Sequence, residues 1–244
     1  MSPDSILEAL IDCAAAVGEV FGAHQGRGYS GQRATQYHLD VAADEAAVAV
    51  LHRAGFRVVS EESGETGSGD LTVVVDPIDG STNCDRGIPY FATSLAVVEG
   101  STLIAGLVKN QADGTTYYAT LGGGAFRDGQ PITPSAQTTV AGAVVSFSGH
   151  PDRHVGWGQI RALGAASLEG CFVADGRLDL YTVAQRSSLS TWDYLAAMLI
   201  ATEAGATVLS YGNQDLVGTD RAPRYPLFAA TADLAQEFMS HGRL

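Results

Sequence analysis

A continuous apolar run, Leu71-Thr72-Val73-Val74-Val75, passes without a break into Asp76-Pro77-Ile78-Asp79-Gly80-Ser81-Thr82-Asn83. A β-branched run of this kind is the pattern of a buried strand, and it leads into a stiff turn that carries two acids. Pro77 fixes its own φ and has no N–H, so both carboxylates and the carbonyl between them can face one side. Hard oxygen ligands at that spacing suit Mg2+, which demands near-octahedral geometry and usually retains waters. Gly80 permits close approach of a ligand to the backbone. A helix beginning just after it would present free N–H groups to an anion. Taken alone, a DxxDG string also fits an ordinary turn, so its meaning depends on the acids elsewhere.

Three further acidic elements stand out. Glu61-Glu62 closes the short strand predicted at Phe56 to Ser60; Trp192-Asp193 opens a long apolar helix predicted from Thr191 to Glu203; and Asp44 sits in a helix predicted from Asp40 to Ala54. Each has a plain reading as well. Glu61-Glu62 suits a solvated loop, Asp44 a helix surface, and Asp193 a cap beside Ser190 and Thr191, where first-turn acids are favoured.

The remaining pattern predicts mostly antiparallel strands, with helices in separate blocks. Ser5 to Phe21 reads as an amphipathic helix, and the Gly-rich stretch Ala23 to Thr35 as a mobile loop. Strand segments at Phe91 to Val98, Leu103 to Lys109, Thr115 to Thr120 and Gly124 to Phe126 are separated by turn signals and suggest a meander. Beyond a further strand at Ala141 to Phe147, helices are expected at Val155 to Leu163 and Ala166 to Ala174, and a strand at Leu178 to Val183. Strands near Thr207 to Ser210 and Leu227 to Ala230 precede a closing helix at Ala232 to His241. This is a layered α+β order rather than a Rossmann alternation. A weak boundary near Ser135 to Ala143 divides one domain, 1–244, into two lobes.

The formal net charge is −13, and Lys109 is the only lysine. A chain so acidic repels nucleic-acid backbones and anionic membranes at long range. An anionic ligand would have to be drawn by something other than a basic patch, and bound divalent cations could do so. No apolar run approaches the roughly 20 residues that span a bilayer, and Met1-Ser2-Pro3-Asp4 lacks a secretory pattern, so a cytoplasmic setting is expected. Cys13, Cys84 and Cys171 give neither a disulfide framework nor a metal knuckle, and Cys84 reads as a bystander thiol rather than a nucleophile.

The DPIDGSTN string, the upstream SEES and the downstream WDYLAAMLIATEAGA strongly resemble the inositol monophosphatase family of metal-dependent, lithium-sensitive phosphatases, in the right order over nearly the whole chain. The resemblance implies the layered α/β/α/β/α sandwich of the inositol monophosphatase and fructose-1,6-bisphosphatase type. It implies a metal- and phosphate-binding lobe at about 1–135, and a substrate lobe at about 136–244 that contributes Asp193. It implies two or three Mg2+ ions, with Mn2+ able to substitute, and a homodimer. By matching positions, Glu61 would bind metal and orient the nucleophilic water, Asp76 would bridge two metals, the Ile78 carbonyl would bind one, and Asp79 and Asp193 would form the second site. Asp193 would also touch substrate. Ser81, where the family usually has Thr, would assist the attacking water, and Asp44 would stand behind that hydroxyl near a third metal. The Gly80 and Ser81 amides, with Thr82, would hold the phosphate, and Glu62 would support from further out.

Two departures bear on the substrate. Arg186 stands near where inositol-specific members carry an acid, which suggests either a substrate with a second anionic group or a surface loop. Gly164-Ala165-Ala166 matches a substrate-lining segment that commonly carries a hydroxyl, absent here. The expected function is therefore Mg2+-dependent hydrolysis of the phosphate monoester of a small polyol, sugar or related metabolite. The alternatives are a relative specific for histidinol phosphate or a nucleotide, and a non-catalytic phosphate- or metal-binding regulator. A haloacid-dehalogenase-type phosphatase fits less well, because its aspartyl nucleophile needs a DxD near the N-terminus.

Overall fold

The architecture follows from where the apolar faces must be hidden. The computed structural model describes residues 1–23, 28–33 and 36–244, with 22 and 23 by backbone only. Helices α1 (Pro3–Ala23) and α2 (His38–Arg53) lead into strands β1 (Arg57–Ser60), β2 (Gly64–Thr66) and β3 (Leu71–Asp79). A short helix, α3 (Ser81–Arg86), precedes β4 (Ala92–Glu99), β5 (Thr102–Asn110), β6 (Thr116–Thr120), β7 (Gly124–Arg127) and β8 (Gln130–Pro131). The second half holds β9 (Val144–Ser148), β10 (Gln159–Arg161), α4 (Ala166–Ala174) and β11 (Leu180–Val183). It closes with α5 (Thr191–Ala204), β12 (Thr207–Ser210), β13 (Pro226–Ala229) and α6 (Ala232–Ser240).

The strands form two sheets, in the orders β2-β1-β3-β4-β5-β6-β7-β8 and β10-β9-β11-β13-β12. Strands β4 to β7 are the expected antiparallel meander, which β3 and β8 extend at its two ends. Parallel pairing joins β1 to β3, and β9 to both β10 and β11, so the sheets are more mixed than the sequence pattern suggests. One face of the first sheet packs on α1 and α2 through Leu10, Leu51, Val73 and Leu95. Its other face meets α4 and α5, which also contact the second sheet through Phe228. Helix α6 covers the far side with Phe238. The result is the expected α/β/α/β/α layering.

This layering explains the composition of each helix. Helix α5 lies between two sheets, and Tyr194, Leu195, Ala196, Ala197, Ile200 and Ala201 are all fully buried, as an apolar-all-round helix must be. Fully burying one such leucine or isoleucine stabilises the fold by about 1.5–3 kcal/mol. Close approach matters here: a Cβ on Gly106 of β5 would come within 2.8 Å of the Ala196 carbonyl.

One local expectation changes. The predicted helix at Val155 to Leu163 is not formed, and the segment is irregular apart from the exposed edge strand β10. Gly156 adopts φ 109, and a side chain on Gly158 would strike the Gly142 carbonyl at 2.7 Å, so the backbone there is set by close packing on a neighbouring loop. Residues 24–27 and 34–35 of the predicted mobile loop lie outside the described residues, while a bridge joins Tyr29 to Tyr37.

Candidate active site

Parallel pairing of β1 with β3 places Ser60 opposite Val75, so Glu61 and Asp76 leave the same edge of the sheet side by side. The Glu61 amide donates to the Val75 carbonyl at 3.1 Å and fixes that exit. At the end of β3 the register with β4 shifts between Asp76 and Asp79. The Thr93 hydroxyl holds the Pro77 carbonyl at 2.9 Å, and the Ile78 amide donates to Asp76 at 3.0 Å. The third acid arrives from α5. Asp76 pairs with Ser94 across the sheet, and the Ser94 hydroxyl donates to the Trp192 carbonyl at 2.9 Å. The first turn of α5 is thereby docked opposite Asp76.

As a result Glu61, Asp76 and Asp193 bring carboxylate oxygens within 4.8 Å of one another. Asp193 also caps its own helix, accepting the Ser190 amide at 2.6 Å. The capping role and the cluster role therefore coexist, one on the backbone and one toward the other acids.

Asp79 is placed differently. Its Oδ1 accepts the Ala166 amide at 3.0 Å, and its Oδ2 accepts the Ser167 amide at 2.7 Å and the Ser167 hydroxyl at 2.5 Å. It closes the N-terminus of α4, beside rather than within the three-acid cluster. The Ile78 carbonyl accepts the Ser81 hydroxyl at 2.9 Å. Gly80, at φ 90, turns the chain into α3. A Cβ there would meet the Gly164 carbonyl at 3.0 Å and the Ala165 methyl at 3.2 Å, so the turn requires glycine. The Thr82 hydroxyl pairs with Tyr37 at 3.2 Å. Asn83 donates to the Tyr90 and Leu163 carbonyls, each at 2.8 Å, and pins the 163–166 segment against the acidic turn.

One expected role does not match these positions, and one open reading is narrowed. Asp44 accepts a hydrogen bond from Ser60 and is buried under β1, where it serves the strand rather than Ser81. Asp40, one helical turn earlier, is the acid whose surroundings include Ser81. Its Oδ2 accepts the Tyr37 amide at 2.8 Å, and its buried Oδ1 has no protein partner among the described residues. The Arg186 side chain is 86% exposed and 3.8 Å from Asp152, outside the cavity beside the acids. Glu62 is turned to Arg33 and Gln36, consistent with an indirect role.

The electrostatics are those of acids crowded together out of water. Burial, then the neighbouring Glu62, push the Glu61 carboxyl up to about 7. Asp76 and Asp193 are raised well above the usual carboxylate range by burial and by Glu61. Burial lifts Asp79 to about 6 against the opposing pull of its Ser167 and Ala166 bonds. Burial likewise lifts Asp40 to about 6. Like charges gathered this way favour either protons or a cation between them. The donor set, all hard oxygens, fits Mg2+ or a similar ion. Burial pushes the Cys84 thiol up to about 12, which disfavours the thiolate form.

A cavity of about 360 Å³ adjoins the cluster and is lined by Asp79, Asp193, Ser148, Ser187, Phe147 and Leu189, among others. Gly164 and Ala166 reach it, while Ala165 is buried beneath. Sequence reasoning overlooked Asp40, Ser167, Asn83, Ser148 and Ser187. Only Asn83 stood inside a marked motif.

The inositol monophosphatase family model matches residues 3–241. A fructose-1,6-bisphosphatase/inositol-1-monophosphatase of Archaeoglobus fulgidus is 36% identical over 72% of this chain and 71% of its own length. An inositol-1-monophosphatase of Mesorhizobium japonicum is 32% identical over 68% of this chain and 67% of its own. The solved structure of a Thermotoga maritima IMPase superposes with a TM-score of 0.79 at 26% identity, covering 96% of this chain and 95% of that one. The chain belongs to the inositol monophosphatase family and is a phosphoric monoester hydrolase.

Proposed function

We propose that this phosphatase of the inositol monophosphatase family hydrolyses the phosphate monoester of a small polyol or sugar, with Mg2+ held at Glu61, Asp76 and Asp193. The observation that carries the reading is the meeting of those three acids, from β1, β3 and α5, within 4.8 Å beside a cavity of small-metabolite size. Two or three ions are expected, with Asp79 and the Ile78 carbonyl completing the second site and Mn2+ able to substitute. Bound there, the cations would lower the pKa of a water and neutralise charge on the phosphoryl oxygens.

The chain's own groups supply orientation and proton handling. Glu61 is partly exposed, and its carboxylate can direct a water toward the phosphorus. Asp40, lifted to about 6, suits a proton acceptor near neutrality, and Ser81 lies between it and the acidic turn. The amides at the start of α3 hold the phosphate, as the family resemblance implies for Gly80 and Ser81. Ser148, whose hydroxyl also pairs with Tyr181 at 2.7 Å, and Ser187 line the cavity and would offer hydroxyls to an alcohol-rich leaving group. The two-lobe organisation, the cytoplasmic setting and the homodimer belong to the same proposal, and the two separate sheets favour the first of these.

A second reading, a histidinol or nucleoside phosphate, draws on the Phe147 and Leu189 wall, against which a flat ring could lie. Inorganic phosphate release across a panel of inositol, sugar, nucleotide and histidinol phosphates, each with Mg2+ and with a chelator, separates the two. Fastest chelator-sensitive release from a polyol or sugar phosphate supports the first reading. Tight ester binding without release would turn the assignment toward a regulator.

A further inference from the structure

We infer that Arg221 is a positioning residue that joins the Glu61 turn to the Trp192-Asp193 turn and thereby sets the affinity of the acidic cluster for divalent cations. The inference rests on the proposal that this cluster binds a cation.

Glu61 and Asp193 lie on separate elements far apart in sequence, and only packing and hydrogen bonds keep them together. Arg221 spans the gap. Its Nη2 donates to the Glu61 carbonyl at 2.9 Å and to the Ser60 carbonyl at 3.2 Å. The same guanidinium stacks over the Trp192 ring, with Cζ 4.8 Å from its centroid, and Trp192 is itself buried. One planar cation therefore touches the residue before Asp193 and the backbone of Glu61.

The base of the arm is anchored on the entry to α5. The Thr191 hydroxyl donates to the Asp220 carbonyl at 3.3 Å. The Asp220 carboxylate accepts the Ala222 amide at 2.7 Å and Arg224 at 3.0 Å. Leu189 and Arg224 exchange backbone bonds at 3.1 and 2.8 Å. Arg221 thus projects from a segment fixed to one ligand's helix and grips the strand end that carries another. Because its donors go to carbonyls, the Glu61 carboxylate oxygens stay available to a metal. A lysine could supply the charge and a donor, but not the planar face that lies over Trp192.

The test is Mn2+ titration of the full chain followed by electron paramagnetic resonance, with thermal melts of the chelated protein alongside. Arg221→Ala should weaken Mn2+ binding by about tenfold or more, the scale of outer-shell losses at metal sites, and Arg221→Lys should fall between it and wild type. Arg127→Ala, which breaks a partly exposed pair with Asp175 away from the acids, should change the melt but not the Mn2+ affinity. If Arg221→Ala is poorly folded, Arg221→Lys carries the comparison. Mn2+ affinity within about twofold of wild type in a folded Arg221 variant overturns the inference. A wild-type chain that binds no Mn2+ overturns the metal reading beneath it.

Discussion

Asp79 and Ser167 are joined at a single oxygen: Oδ2 of Asp79 accepts both the Ser167 amide, at 2.7 Å, and the Ser167 hydroxyl, at 2.5 Å. These bonds oppose the burial that lifts Asp79 to about 6. They also seat α4, and with it the 164–166 wall of the cavity, on the acidic turn.

Ser167→Ala removes one of the two bonds to Oδ2. The Asp79 pKa should then rise further, and the acidic limb of the phosphate-release profile should move to higher pH at saturating Mg2+. The fold should lose about 0.5–1.5 kcal/mol, the usual worth of such a bond. Rate profiles of the two proteins check this, and coincident acidic limbs would show that Asp79 ionisation does not govern turnover.

Asp40 and Asp44 can be separated by function. Asp40→Asn should lower kcat by about a hundredfold or more, as expected for loss of a proton-handling group, with a small change in melting temperature. Asp44→Ala should leave kcat nearly intact but destabilise the fold by about 1–3 kcal/mol, because the Ser60 hydroxyl loses its buried acceptor. Steady-state kinetics and denaturant melts on both variants provide the measurement.

Arg186→Glu should leave the ranking of substrates unchanged, since the side chain is 86% exposed and faces Asp152. The variant to alter that ranking is Ser187→Ala, because Ser187 lines the cavity. KM values for three or more phosphate esters, measured on both variants, decide the matter.

The crowded acids make stability depend on pH and metal together. Glu61 is lifted to about 7 and Asp79 to about 6, and Asp76 and Asp193 also lie above the usual range. An unfolded carboxyl titrates near about 4, so between that value and the folded values the native state holds protons the unfolded chain has released. Stability from these groups is complete below the unfolded pKa and is lost as pH rises through about 7. The chelated protein should therefore melt lower at about pH 8 than at about pH 5. Added Mg2+ should raise the melt more at the higher pH, where protons no longer compete for the ligands. Thermal melts at both pH values, with and without Mg2+, test the sign.

Much of the site could be read from residues in sequence. Leu71 to Val75 forms the buried strand its pattern demands, and the acids at Glu61, Asp76 and Asp193 converge because β1 pairs in parallel with β3 and Ser94 docks α5. The choice between Asp40 and Asp44 was not legible, because residues four apart share a helix face and only tertiary packing decides which meets Ser81 and which meets Ser60. The failed helix at Val155 to Leu163 has spaced apolar residues, but Gly156 and Gly158 interrupt it, and Trp157 is buried in an irregular segment. Arg186 and Arg221 show the limit most clearly. Both are loop arginines without local signal, yet one points to solvent and the other bridges two turns of the site.

The central claim is that Glu61, Asp76 and Asp193 hold a divalent cation against the phosphoryl group. A crystal of the protein soaked with Mn2+ and inorganic phosphate, with anomalous scattering recorded for manganese, measures it directly. The expected result is a manganese peak coordinated by all three carboxylates and by a phosphate oxygen. Well-ordered phosphate at the start of α3 with no manganese among the three acids would contradict it.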